Sequence, residues 1–159
     1  MGTPSSPAVR LYTPAQRARR DATRWTIVQG VLAPFQFLVF TISLLLVVRY
    51  LWTGAGYEIA TASILLKTAI LYLIMVTGAI WEKVVFGQYL FAPAFFWEDV
   101  FSFGVIALHT LYIVTLFPGM AGPGTQMTIA LLAYAAYVIN AVQFLLKLRA
   151  ARLEPEVAA

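Results

Sequence analysis

Residues 81–104 read "WEKVVFGQYLFAPAFFWEDVFSFG", and the placement of this stretch decides the fold. It holds Glu82, Glu98 and Asp99, three of the seven acids in the chain, beside six phenylalanines, two tryptophans, Tyr89 and Lys83. The sequence on either side is strongly apolar. Pro93 forbids one continuous helix through it, because proline lacks a backbone N–H and its ring clashes with the preceding turn. The stretch therefore reads as a hairpin between two apolar segments.

Working outward, the 159-residue chain is 61% hydrophobic and only 11% charged, with a mean hydropathy of +0.81. A soluble domain carries about 25% charged residues. The composition is that of an integral membrane protein of one domain. A helix needs roughly 20 apolar residues to cross the hydrocarbon core. Four segments are long enough: Trp25–Tyr50, Ile59–Trp81, Trp97–Phe117 and Gln126–Leu146. Trp25, Tyr50, Trp52, Tyr57, Trp81, Tyr89 and Trp97 fall at or near their ends, where aromatic rings favour the membrane–water boundary. The expected fold is all-α, with four antiparallel transmembrane helices.

Lysine and arginine set the orientation. The N-terminal tail has five arginines, the hairpin has Lys83, and the C-terminal tail has Lys147, Arg149 and Arg152; the other side has Arg49 alone. The excess of basic residues lies inside, so both termini and the hairpin are expected in the cytoplasm. The loops "YLWTGAGYE" and "FPGMAGPGTQ" are Gly- and Pro-rich turns on the far side. The expected organisation is a basic tail at 1–24, a four-helix domain at 25–148 and a C-terminal tail at 149–159. Thr13-Pro14-Ala15-Gln16 carries a helix start, with Thr as cap, Pro in the first turn and Gln reaching back. It predicts a short basic helix on the cytoplasmic surface; the plainer alternative is a frayed tail near anionic lipid.

Several chemistries drop out. There is no cysteine, hence no disulfide, thiolate nucleophile, iron–sulfur cluster or attached c-type haem. A single histidine argues against a bis-histidine haem. The net charge of +4 comes from topogenic tails and does not imply nucleic acid. No phosphate loop, dinucleotide fingerprint or HExxH is present. No HxxxH-type or ExxH pair is present either, so no dedicated metal site is expected.

Ionisable groups inside a bilayer are costly and so are functional candidates. Lys67 lies about 12 Å in from the start of the second span. His109 reaches a similar depth in the third, so the two can line one cavity. Alternatively Lys67 snorkels outward and His109 bonds a neighbouring carbonyl. Glu98, Ser102 and His109 share one helical face, with Glu98 and His109 too far apart for a dyad, while Asp99 points about 100° away. Gln29, Gln36 and Ser43 form one polar stripe, and Asn140, Gln143 and Lys147 another. Interhelical hydrogen bonding is the favoured role for Gln29, Gln36 and Asn140.

The three hairpin acids sit beside Trp81, Tyr89, Phe91, Phe95, Phe96 and Trp97. A carboxyl group in an apolar pocket holds its proton to higher pH and can donate it near neutrality. Neighbouring acids differ in proton affinity, so one can stay an anion and orient water. The ring-rich wall suits a large, flat, membrane-borne substrate. A solvated loop is the alternative for Glu82, Lys83, Glu98 and Asp99.

Three stretches carry a resemblance: "GAIWEKVVFGQYLFAPAFFWEDVFS", "TRWTIVQGVLAPFQFLVF" and "AAYVINAVQFLLKLRAARL". Together they resemble the 3-vinyl (older numbering, 2-vinyl) bacteriochlorophyllide hydratase family, over roughly Leu11 to Leu153. The resemblance implies hydration of the C3-vinyl group of a chlorophyllide or bacteriochlorophyllide to 1-hydroxyethyl, in the inner or intracytoplasmic membrane of a phototrophic bacterium. Such a reaction needs a positioned acid, a base for water and nearby negative charge, but no cofactor beyond the magnesium the substrate carries. Under this reading Glu98 is the preferred acid, and Asp99 or Glu82 handles the water. His109 is a candidate for the substrate's magnesium or a polar edge, and Ser102 lies on the same face. Lys67 or Lys83 would pair with the propionate, and Trp81, Tyr89 and Trp97 would border the ring. A homo-oligomer, or contact with other pigment-synthesis enzymes, would help to enclose so large a ligand. Competing readings are a non-catalytic tetrapyrrole carrier or assembly factor, and a small transporter, which would need a mid-membrane acid that the sequence lacks.

Overall fold

The structure, a computed structural model, describes residues 10–154. The outermost parts of both tails, 1–9 and 155–159, lie outside the described residues. Among the described residues there are five helices and no strand: α1 (Pro14–Ala22), α2 (Arg24–Thr53), α3 (Tyr57–Phe86), α4 (Phe96–Thr115) and α5 (Pro123–Arg152). The last four are long and apolar enough to cross a membrane.

Helices α2, α3 and α5 overrun the apolar segments that mark them in sequence, whereas α4 starts one residue earlier and stops two residues short of its own. Hydropathy reports the thickness of the bilayer, whereas a helix ends where its backbone hydrogen bonding can be closed off. For α2 and α3 that happens at Gly54 (φ 71°) and Gly87 (φ 88°). Both are left-handed, a conformation glycine adopts without a Cβ penalty. Their N–H groups donate to Tyr50 O and Lys83 O, at 2.7 and 3.0 Å.

Contacts between α2 and α3 step in opposite senses along the chain: Thr26 meets Trp81, Gln29 meets Thr77 and Ser43 meets Ser63. In the same way Thr115 meets Gln126, Ser102 meets Asn140 and Glu98 meets Lys147 between α4 and α5. Gln29 and Ser43 of one polar stripe, and Asn140 and Lys147 of the other, bond across to neighbouring helices, whereas Gln36 is buried and its Nε2 finds no partner among the described residues. Gln29 Nε2 donates to Thr77 Oγ1 at 2.7 Å, and Asn140 bridges to Ser102 and to Glu98 O. The main core holds Phe40, Val47, Ile64, Val105, Tyr112, Met127 and Tyr134. Lipid-facing residues such as Ile27, Leu45, Leu66 and Val76 stay exposed.

A second, smaller core closes one end. Tyr12, Val85, Phe95 and Ala151 are buried there with Phe86 and Phe144 against them. Thr13 and Gln16 form the expected capping box of α1. The helix is docked, not frayed. Arg19 donates from Nε and Nη2 to Val85 O at 3.0 and 2.8 Å, and Arg17 Nη2 lies 3.6 Å from Glu154 Oε2. Tyr12, 2% exposed, stacks on Phe86 with ring centroids 5.8 Å apart. Residues 10–22 therefore strap the end of the bundle where the hairpin lies.

Candidate active site

The hairpin acids are gathered, and they are buried. Glu82 comes from the last turns of α3, whose flanks are fixed on both sides. Trp81 Nε1 donates to Thr26 Oγ1 at 2.9 Å, and Val85 O is held by Arg19. Glu98 and Asp99 come from the first turn of α4, where negative charge is favoured by the unpaired N–H groups of the helix start.

Glu82 and Asp99 are both buried, 5% and 3% exposed, and the loop between them brings their carboxyl groups together. The connecting loop then clamps the pair. Phe91 N–H donates to Asp99 Oδ2 at 2.8 Å and Ala92 N–H donates to Glu82 Oε2 at 3.3 Å. Two successive amides thus meet two buried carboxyls. Phe91 takes φ 60°, the only non-glycine with positive φ among the described residues. This left-handed backbone costs a β-carbon residue roughly 1–2 kcal/mol. The two amide bonds to the carboxyls offset that cost.

Glu98 has a different partner. Its Oε2 accepts from Lys147 Nζ at 2.8 Å. Lys147 also donates to Ala94 O, so α5 is tied both to the acid and to the loop. The ion pair fixes Glu98 in place beside Glu82 and Asp99. Ser102 Oγ lies 2.8 Å from Glu98 O and 2.9 Å from Asn140 Oδ1, which locks the first turns of α4 against α5.

The remaining sequence candidates separate into groups. Lys67 and His109 are brought together but not to this site. Both are 0% exposed, with Lys67 Nζ 2.9 Å from His109 Nε2. His109 Nδ1 is 2.8 Å from Val105 O, so both ring nitrogens are engaged inside the bundle. Lys67 does not snorkel; its Nζ lies 3.7 Å from the Tyr137 ring centroid, a cation–π contact. Lys83 is exposed and donates to Gly87 O at 2.9 Å. The aromatic residues divide likewise. Trp81 packs edge-on against Phe86 and Phe95 at 5.8 and 5.7 Å. Tyr89 and Trp97 face outward, with Trp97 72% exposed, along a strip that includes Phe91 and Phe96.

Two partners escaped assignment in the sequence. Lys147 carried a signal, its register with Asn140 and Gln143, but its pairing with Glu98 depends on how α4 meets α5. Tyr12 carried none, since nothing in a polar tail marks the residue that folds back. Among the described residues no three His, Asp or Glu side chains converge as metal ligands.

The class defined here is a multi-pass helical membrane protein with a buried carboxyl cluster at one end of its bundle. Residues 12–150 match the family model described as 2-vinyl bacteriochlorophyllide hydratase (BCHF). The chain belongs to that family of hydratases. It is 74% identical over 156 residues to the 2-vinyl bacteriochlorophyllide hydratase of Cereibacter sphaeroides, covering 98% of this chain and 97% of the relative. It is 70% identical over 153 residues to that of Rhodobacter capsulatus, covering 96% and 89%. No solved structure matches the chain.

Proposed function

We propose that this chain hydrates the C3-vinyl group of a chlorophyllide or bacteriochlorophyllide, with the carboxyl cluster as the reacting site; the relatives named 2-vinyl bacteriochlorophyllide hydratase support this reading. The buried Glu82–Asp99 pair, clamped by two successive loop amides, carries this reading. A proton held between these two carboxyls, in a water-poor, ring-rich setting, is in this reading the one that acid catalysis of a hydrocarbon double bond requires.

In the proposed reaction the pair transfers its proton to the terminal carbon of the vinyl group, and the π electrons form the new C–H bond. The inner carbon becomes cationic, and the macrocycle delocalises that charge. A water oxygen donates a lone pair to the inner carbon. The carboxylate left on the pair takes the water's surplus proton and is restored. Glu98, ion-paired with Lys147, stands beside the pair to stabilise the cation and orient the water. This assigns the donor to Glu82–Asp99 in preference to Glu98, because an ion-paired carboxylate has no proton to give. The exposed strip of Phe91, Phe96, Trp97 and Tyr89 gives the macrocycle a bed reached from the lipid. The buried Lys67–His109 pair is read as an internal brace of the bundle. The reaction calls on no redox cofactor, nucleotide or thiol.

The four spans are read as an antiparallel bundle in a bacterial inner membrane, with both termini and the hairpin cytoplasmic. The alternating contacts between neighbouring helices and the basic tails support this. The test is incubation of the purified protein with a 3-vinyl pigment in oxygen-labelled water. A more polar product carrying the label is expected. Pigment that binds and stays unchanged would make the protein a carrier.

A further inference from the structure

A cleft of about 510 Å³ opens beside the acid cluster, between the N-terminal strap, the hairpin and the end of α5. Its walls include Arg10, Lys147 and Glu154, over an apolar floor of Phe86, Pro93 and Ala94. We propose that this cleft seats the ionised carboxylate arm of the substrate, held by Arg10 and Lys147; the proposal rests on the hydratase reading above.

The charge balance of the cleft favours an anion. Glu154 is already committed, since its Oε1 accepts Leu11 N–H at 2.7 Å and its Oε2 lies 3.6 Å from Arg17 Nη2. Lys147 keeps part of its side chain exposed, 29%, while bonded to Glu98. Arg10 is exposed and forms no ion pair with another described residue. An incoming carboxylate therefore meets one guanidinium unpaired among the described residues and one ammonium at the cleft wall. Guanidinium groups bind carboxylates through two parallel hydrogen bonds, which adds orientation to attraction.

The position fits as well. Residues 91–94 form a single short strip. Phe91 and Ala92 clamp the buried carboxyls, while Pro93 and Ala94 line the cleft. A flat molecule laid across that strip can place an anionic arm in the cleft and an apolar edge toward the acids. Lys147 touches both regions, since it bonds Glu98 and lines the cleft. The other lysines are poorer partners. Lys67 is sealed inside the bundle, and Lys83 is turned back on Gly87 O. The cleft also lies where the tails place the membrane surface, so an anion there stays near water while the ring remains in lipid.

The test compares a 3-vinyl pigment bearing a free carboxylate with its methyl ester, using the purified full-length protein in detergent with no added phospholipid. The wild type is expected to show a KM roughly five- to tenfold lower for the free acid, the range of a partly exposed charge-assisted pair. Arg10→Gln is expected to abolish most of that preference. Equal KM values for acid and ester in the wild type would overturn the proposal. So would a preference that survives both Arg10→Gln and Lys147→Met. A preference abolished by added anionic phospholipid at constant detergent would assign the cleft to a lipid headgroup and also overturn it. If neither pigment turns over, the hydratase reading fails, and pigment binding followed by fluorescence quenching still reads the acid-against-ester preference.

Discussion

Glu82→Gln isolates the Glu82–Asp99 pair, because glutamine keeps the shape and loses only the transferable proton. In the structure Glu82 Oε2 accepts Ala92 N–H at 3.3 Å, and Asp99 is buried beside it on the neighbouring amide, Phe91 N–H. A glutamine can accept the same N–H through its amide oxygen and donate to Asp99 through its amide nitrogen. The loop stays clamped, and the cost in stability is that of exchanging one hydrogen bond for another, within about 1 kcal/mol. The proton that moves to the vinyl carbon is gone. General acid catalysis contributes roughly 10²- to 10⁴-fold, equivalent to about 3–5 kcal/mol of transition-state stabilisation. The expected result is a fall in kcat of that order with KM changed little. Loss of vinyl conjugation shifts the pigment's long-wavelength band, so turnover can be followed by absorbance. Asp99→Asn should behave alike, because either member can carry the proton. Glu98→Gln should lose less, since it removes a stabilising charge and not the donor. Wild-type turnover in Glu82→Gln, or a far greater loss in Glu98→Gln, would refute the assignment.

Three further outcomes follow from the same geometry. Lys147→Met removes the partner of a mostly buried carboxylate and the bond to Ala94 O, so it should cost roughly 2–3 kcal/mol in stability and lower kcat, read by melting in detergent and by turnover. Arg19→Ala frees the buried Val85 carbonyl from two donors and should cost about 1–3 kcal/mol, seen as a lower melting temperature and as faster hydrogen exchange at the end of α3. Phe91→Pro deletes the N–H given to Asp99 and forbids φ 60°, so circular dichroism should report intact helices while activity is lost.

The spans were legible in the sequence because a bilayer imposes a length on apolar runs. The capping box of Thr13 and Gln16 was legible because its spacing is local. The depth match of Lys67 and His109 also survived, down to a 2.9 Å contact, since both positions can be counted from span ends. The pairing of carboxyls was not legible. Glu98 and Asp99 are adjacent in sequence yet take opposite fates, one ion-paired across to α5 and the other buried beside Glu82 of α3 under the Phe91 amide. Helical phase told that they point apart but not what each would meet. The return of Tyr12 and Arg19 onto the hairpin was hidden for the same reason. A basic tail reads as a topology signal whether or not it packs.

The most direct measurement is the reaction run in deuterated water, with the product examined by NMR and mass spectrometry. Protonation from a pair that exchanges with solvent, followed by water addition, predicts one deuterium on the new methyl carbon of the 1-hydroxyethyl group. Glu82→Gln should form that product far more slowly. A recovered pigment with its vinyl group intact, or a hydroxylated product with no deuterium on the methyl carbon, would contradict the account.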